Sequence, residues 1–371
     1  MDTRTMRSSV LRGAVAVALS SLVLSGCAAD SKPAAGATTP AAGATTGAGA
    51  AAQSLTIYTG RDKDEVASVV SQFEAKFPQY KGKVQTIIAG AQDNLDRMRA
   101  EKSNPQAGFL WGGTQQQLVQ AASEGLLTSY VAKYADKIPA ASKDPGNQWF
   151  AEMQLPEVII YNNKLLSAAA APKDWSDLIK PEWKDKIVIR DVSPSGTMRT
   201  IYSAMVYQSF VKDNKPDAGY AFLKALDANT VAYAATPEDM YTQLDQGTGV
   251  VSVWDLQDVL IGQLKNHHPW GFVMPTSGAP VLLDGVAVVK NKNQDQAAKD
   301  FMDFLMEPTM QAKLAKAYYQ VPAMEIDAAA KPDWLTKLTI NEMKIDWKVL
   351  GAHQTEWMTY WIDNIKGKGG K

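Results

Sequence analysis

The sequence predicts an α/β protein: an open sheet built from repeated strand–turn–helix units and divided between two lobes. Three observations carry that reading. Short β-prone runs are each followed by a tight turn and a segment of helical periodicity, more than three hundred residues follow Ser54, and tryptophans are spread along that whole length. A chain of that size supplies enough apolar surface for two packed cores.

The amino terminus precedes this folded part. Arg4, Arg7 and Arg12 stand before an apolar stretch that begins at Gly13 and ends in Leu24-Ser25-Gly26-Cys27, so residues 1–26 carry the charged, apolar and small-residue zones of an export signal. The stretch is too short to span a bilayer. It resembles a bacterial lipoprotein box, which implies cleavage before Cys27, lipidation of that sulfur, and a protein anchored to the cell membrane facing the periplasm or the exterior. Cys27 is the only cysteine, so no disulfide forms within one chain. Residues 27–53 are mostly Ala, Gly, Thr and Pro with almost no bulky apolar side chain, and they read as a disordered leash.

Charge narrows the partners. Residues 1–26 carry Asp2 against three arginines, a net of +2, which leaves −3 of the formal −1 for the rest. Without clustered Lys and Arg, nucleic acid is not an expected partner.

The elements follow in order. Leu55-Thr56-Ile57-Tyr58 reads as a strand, Thr59-Gly60-Arg61-Asp62 as a turn, and Val66, Val69, Val70, Phe73 and Phe77 as the apolar side of a helix ending before Pro78. Residues 84–88 predict a strand, 92–101 a helix, and 109–111 a strand reaching the turn Gly112-Gly113-Thr114. Residues 115–124 predict a helix stopped by Gly125. Further strands are expected at 156–163, 186–190, 249–254, 271–274 and 284–290, with helices after Thr197 and over 294–306. Beyond Pro332 the chain predicts terminal helices, whose Trp334, Trp347, Trp357 and Trp361 read as packing residues.

Several segments together resemble the bacterial extracellular solute-binding proteins that feed ABC importers. They are LTIYTGRDKDEVASVVSQFEAKFP, GTQQQLVQAASEGLL, VIIYNNKLL followed by PKDWSDLIKPEWKDKIVI, and DGVAVVKNKNQDQAAKDFMDFLM. The likeness covers about residues 54–325 and is nearest to the branch of ferric-iron, phosphonate, sugar-phosphate and thiamine binders. It implies the two-lobed type 2 periplasmic-binding-protein fold, with solute held in a cleft between lobes joined by crossing strands. The crossings are expected near 161–163 and 282–285. Lobe 1 is then 54–160 with 284–371, and lobe 2 is 161–283. The implied function is capture of a small anionic solute, such as a phosphonate or sugar phosphate, and its delivery to a permease by a monomer that is not an enzyme and needs no cofactor.

Solutes in open α/β sheets sit beyond the carboxyl ends of strands, where helix amino termini offer free N–H groups and partial positive charge. The run Ser193-Pro194-Ser195-Gly196-Thr197-Met198-Arg199 fits best: Ser193, Ser195 and Thr197 bring hydroxyls, Gly196 permits close approach, and Arg199 brings a guanidinium fork. The same serines also read as helix caps and Arg199 as a solvated side chain. Arg61 is a second candidate for the anion or else part of a charged turn, and Thr114 is a donor or a tight-turn residue. Trp254 is expected to cover the solute. Asp255 holds an amine or hydroxyl of it, or caps the next helix.

The rival readings draw on other residues. Ferric iron would want tyrosinate oxygens, for which Tyr58, Tyr202, Tyr318 and Tyr319 are the candidates, although no tyrosine pair stands at 253–256, where ferric-binding relatives have one. His267 and His268 lack zinc-site spacing. For an enzyme the chain has no Gly-x-Ser-x-Gly elbow, no His-Glu-x-x-His and no phosphate-binding loop. A structural envelope lipoprotein is the remaining class.

Overall fold

The computed structural model describes residues 54–369, and the expectations for residues 1–53, including lipidation of Cys27, lie outside the described residues. Lobe 1 opens with β1 (Leu55–Thr59) and α1 (Lys63–Lys76). Asp62 starts that helix by accepting from the N–H groups of Asp64 and Glu65. Then come β2 (Val84–Ile88), α2 (Ala91–Ala100), β3 (Phe109–Thr114) and α3 (Gln115–Ser123). Phe73 and Phe109 fill one face of this sheet, and Tyr58, Leu110 and Leu118 the other.

The chain enters lobe 2 along β4 (Phe150–Asn162) and continues through β5 (Ile187–Arg190), α4 (Gly196–Asp213), α5 (Asp217–Asn229) and β6 (Thr230–Ala234). After these come α6 (Pro237–Gln246), β7 (Val251–Asp255), α7 (Leu256–Leu264) and β8 (Trp270–Val273). It returns to lobe 1 with β9 (Val281–Val288), α8 (Asp295–Leu305), α9 (Pro308–Tyr318) and β10 (Val321–Pro322). The helices α10 (Asp333–Lys337) and α11 (Trp347–Asn364) finish it. The strands run in the order β2-β1-β3-β9-β4-β7-β5-β6, with β8 and β10 also paired to β4. Neighbours β2-β1-β3 and β7-β5-β6 are parallel, whereas β9 and β4 are antiparallel to their neighbours.

Thirteen-residue β4 belongs to both lobes. Its first half pairs with β9 as far as Pro156↔Val281, and its second half pairs with β7 from Glu157↔Asp255 onward. The chain therefore crosses at Pro156–Glu157, ahead of the expected 161–163. The first half escapes a sequence reading because Glu152, Gln154 and Pro156 interrupt its apolar run. The return crossing is also earlier than 282–285, since Glu157 N–H donates to Pro280 O, 2.9 Å, at the lobe boundary.

A third crossing lies beside these two. Ala279 N–H donates to Asn341 O and Met343 N–H to Ala279 O, both 2.7 Å, so the segment leading to α11 runs alongside the return strand. It carries α11 onto α4, and this corrects the expectation that all of 284–371 belongs to lobe 1. The cause is apolar area: α4 buries side chains around most of its circumference, and Trp357, Met358 and Trp361 cover the part that the sheet and α5 leave open. Trp361 meets Tyr202 edge to face at 5.2 Å between ring centroids, and Lys366 Nζ pairs with Asp191 at 2.8 Å. Among the described residues no helix is long and apolar enough to cross a membrane.

Trp361 is fully buried, so Trp361→Ala is expected to lower stability by about 3–5 kcal/mol through the cavity it leaves. Urea unfolding measures this, and a loss below about 1 kcal/mol would show that α11 is not part of the lobe 2 core.

Candidate functional site

At the carboxyl end of β1 the chain turns at Gly60 and buries Arg61, only 8 % exposed, under the crossing strands. Its Nη2 meets Glu152 Oε2 and Asp284 Oδ1, each at 2.6 Å, and its Nε lies 4.0 Å from Glu65 Oε1. Trp111 Nε1 donates to Glu152 at 2.8 Å and Gln320 Nε2 to Glu65 at 2.6 Å. Glu152 stands on β4 and Asp284 on β9, both beside register shifts in the ladder. Arg61 is thereby committed to lobe 1 carboxylates, which corrects its reading as an anion ligand: a buried guanidinium is held by the nearest acids. Burial pushes Glu65 up to about 8 and Asp284 up to about 6, with Arg61 opposing both shifts.

Across the junction, the turn from β5 to α4 presents the run singled out in the sequence. Ser195 is the N-cap of α4 and accepts from Met198 N–H at 3.2 Å, while the amides of Gly196 and Thr197 lie in the first turn, where no intrahelical acceptor exists. Ser193 N–H donates to Asp191 Oδ1 at 3.2 Å. Arg199 is half-buried and forms no ion pair among the described residues; burial lowers its pKa, and nearby Arg99 adds to the effect. Sequence reasoning missed Arg190. This residue ends β5 and is 6 % exposed; its Nη1 donates to the carbonyls of Asp191 and Ala234 at 3.2 and 3.4 Å, and its Nε has no acceptor. It too forms no ion pair among the described residues, and burial lowers its pKa. A lone cation closing the apolar run Ile187-Val188-Ile189 was the signal available.

Lobe 1 touches this turn directly. A Cβ on Gly90, the N-cap of α2, would stand 2.7 Å from Pro194 O, and one on Gly196 would stand 2.8 Å from Gln117 Oε1. Thr114 is buried at the start of α3, with its N–H and hydroxyl directed at Gln117 Oε1, 3.0 and 3.2 Å away. The lobes thus meet with helix ends facing each other. Cavities of about 580 Å³, beside Tyr207 and Met343, and 170 Å³, beside Met98 and Leu126, lie away from this junction.

The carboxyl end of β7 supplies acids instead. Asp255 caps α7, accepting from Asp258 N–H at 2.9 Å, and Trp254 Nε1 donates to Asp258 Oδ2 at 2.8 Å, as does the hydroxyl of Tyr241. Trp254 is buried, its indole N–H committed to that carboxylate. Glu157 on β4 faces Asp255 in register, is wholly buried, and accepts no hydrogen bond at either oxygen. Burial raises Glu157 and Asp255 well above the usual carboxylate range, and neighbouring Asp258 adds to both.

The four tyrosines do not converge. Tyr58 lies in the lobe 1 core with its hydroxyl on Glu101, and Tyr202 lies in the lobe 2 core against Trp361. Tyr318 accepts from Gln257 through its carbonyl, 2.9 Å, across the lobe junction, and Tyr319 packs on Trp334.

Residues 113–343 match the model of a family described as bacterial extracellular solute-binding protein. The chain belongs to that family. It is 27 % identical over 316 residues to a probable ABC transporter periplasmic-binding protein of Sinorhizobium fredii, covering 83 % of this chain and 86 % of the relative. A putative 2-aminoethylphosphonate-binding periplasmic protein of Salmonella typhimurium is 26 % identical over 245 residues, 64 % of this chain and 69 % of the relative. Among solved structures, AfuA of Actinobacillus pleuropneumoniae with fructose-6-phosphate bound superposes with a TM-score of 0.72 at 26 % identity, covering 84 % of this chain and 98 % of the other. The ferric binding protein of Campylobacter jejuni superposes at 0.71 with 23 % identity, over 83 % and 98 % of the two chains, and that likeness shows the fold alone.

For a solute-binding protein, buried acids at the junction link stability to pH. Folded Glu65 keeps its proton up to about pH 8, whereas the unfolded chain releases it near 4.5. Its contribution is therefore complete below about pH 4.5 and declines as pH rises to about 8. Glu65→Gln is expected to raise the melting temperature at pH 8 relative to wild type and to flatten the decline between those limits. Parallel melting curves for the two proteins across that range would contradict the assignment.

Proposed function

We propose that this solute-binding protein captures a small phosphorus-bearing anion, a phosphonate or sugar phosphate, and delivers it to the permease of an ABC importer. The reading rests on one observation above all: Arg190 is buried without an ion pair among the described residues, at the end of β5 in the turn that leads to the open amides of α4. A buried guanidinium is costly unless an anion completes it. Ser193, Ser195, Gly196, Thr197 and Arg199 continue the same cradle, and Thr114 and Gln117 approach it from lobe 1. Solute that touches both lobes only when they close stabilises the closed state, which is the form a permease can distinguish. The name of the Salmonella relative and the sugar phosphate bound to AfuA agree with this chemistry, and the name of the Sinorhizobium relative agrees with delivery to an ABC importer. Ferric iron, the alternative, would bring a cation to two arginines that form no ion pair among the described residues, with Tyr58 and Tyr202 kept apart in two cores. Nothing in this arrangement calls for catalysis, and we read the protein as a carrier.

Arg190→Gln is expected to weaken binding of the preferred solute by about 10- to 150-fold, the range of a hydrogen bond to a charged group. Calorimetric titration with methylphosphonate, 2-aminoethylphosphonate, fructose 6-phosphate and ferric citrate measures this. Undiminished affinity in the variant, or binding of ferric citrate alone, would sink the anion cradle. We further read Cys27 as the lipid attachment point, from its place after Leu24-Ser25-Gly26. Cys27→Ser is expected to move the protein from the membrane fraction to the soluble one, and a variant that still sediments with membranes would refute the anchor.

A further inference from the structure

The arginines account for an anion, but the acids at the same edge of lobe 2 form no ion pair among the described residues. Glu157 is 0 % exposed and both its oxygens lack a donor, and the charged groups acting on it are Asp255 and Asp258, acids both. Asp255 stands directly opposite Glu157 across the antiparallel β4–β7 pair, which puts the two side chains on one face. Asp258 is already engaged by Tyr241 and Trp254. Arg61 is the cation that reaches Asp255, and its Nη2 is held by Glu152 and Asp284. As placed, neither oxygen of Glu157 has a hydrogen-bond partner, which is costly for a buried polar group.

The acids and the arginines share an edge. Strands β7 and β5 are parallel neighbours, so Asp255 and Arg190 both close the carboxyl end of the lobe 2 sheet, and Glu157 on β4 is one strand further. Tyr241, on α6, bonds Asp258 through its hydroxyl. Adjacent strands are about 4.8 Å apart, so Arg190 and Glu157 mark ends of a span of roughly 10 Å. Among the described residues no three His, Cys, Asp or Glu are grouped to hold a metal ion, so these carboxylates suit a nitrogen cation with N–H donors instead.

We infer that the solute is zwitterionic, and that Glu157 and Asp255 receive an ammonium group lying a short spacer away from the anion held at Arg190 and the first turn of α4. This rests on the anion reading above and narrows it to amine-bearing phosphorus anions. Such a solute completes both unpaired charges at once, and a phosphorus anion without the amine leaves Glu157 bare.

The test compares 2-aminoethylphosphonate with ethylphosphonate, the same anion lacking the amine, by calorimetric titration of the wild-type full chain and of Glu157→Gln. Wild type is expected to prefer the amine-bearing compound by about tenfold or more. In Glu157→Gln that preference is expected to shrink toward unity, as the affinity for 2-aminoethylphosphonate falls toward that for ethylphosphonate. Equal wild-type affinities, or a preference kept in the variant, would overturn the ammonium pocket while leaving the anion cradle standing. Binding of neither compound would overturn both. Should Glu157→Gln fail to fold, Asp255→Asn, which keeps a capping side chain on α7, carries the same comparison and the same outcomes.

Discussion

Arg61 is the constraint around which the lobe boundary is built. A guanidinium this deeply buried is tolerable only if acids and hydrogen bonds replace its water, and here they come from three separate stretches of chain: Glu65 on α1, Glu152 on β4 and Asp284 on β9. Two of the three stand on the strands that join the lobes. The ion cluster therefore pins β1 to both crossing strands where their ladders shift register, and Trp111 on β3 adds a fourth strand through Glu152. Removing the guanidinium would leave the buried carboxylates on β4 and β9 uncompensated, a strongly destabilising change.

That rigid node contrasts with the residues of lobe 2 that face it. Among the described residues Arg190 and Arg199 form no ion pair and Glu157 has no hydrogen-bond donor, although each is wholly or partly removed from water. Lobe 1 thus meets its electrostatic demands internally, and lobe 2 leaves its own open toward the junction. On the function proposed above, an asymmetry of this kind makes closure depend on the solute, because a molecule bearing the missing charges repays the desolvation of both sides.

How much of this was legible beforehand depended on how local the determinants were. Strands such as Val84–Ile88 and the helix begun by Asp62 are written in short-range pattern and turn chemistry, and the structure places them close to where the sequence does. The cap at Ser195 was legible for the same reason. Partner choice was not. Nothing near Arg61 announces that its acids lie at 152 and 284, and Glu157 within Leu155-Pro156-Glu157-Val158 gives no hint that its cross-strand neighbour is another carboxylate. The first half of β4 was hidden because Glu152, which serves the Arg61 cluster, together with Gln154 and Pro156 disguises it as loop. Family likeness supplied the two-lobed plan, yet it ended before the region that proved to belong to lobe 2.

The placement of α11 bears on how the molecule is made. Lobe 1 has all its strands once Pro322 is available, but the core of lobe 2 waits for Trp357 and Trp361, and Lys366 reaches back to Asp191 near the start of α4. Contacts of such sequence separation form late, since the loop they close must be ordered first. The lobe 2 side of the cleft thus hangs on residues 347–366, and an emerging polypeptide gains a complete α4 surface only after those residues are made.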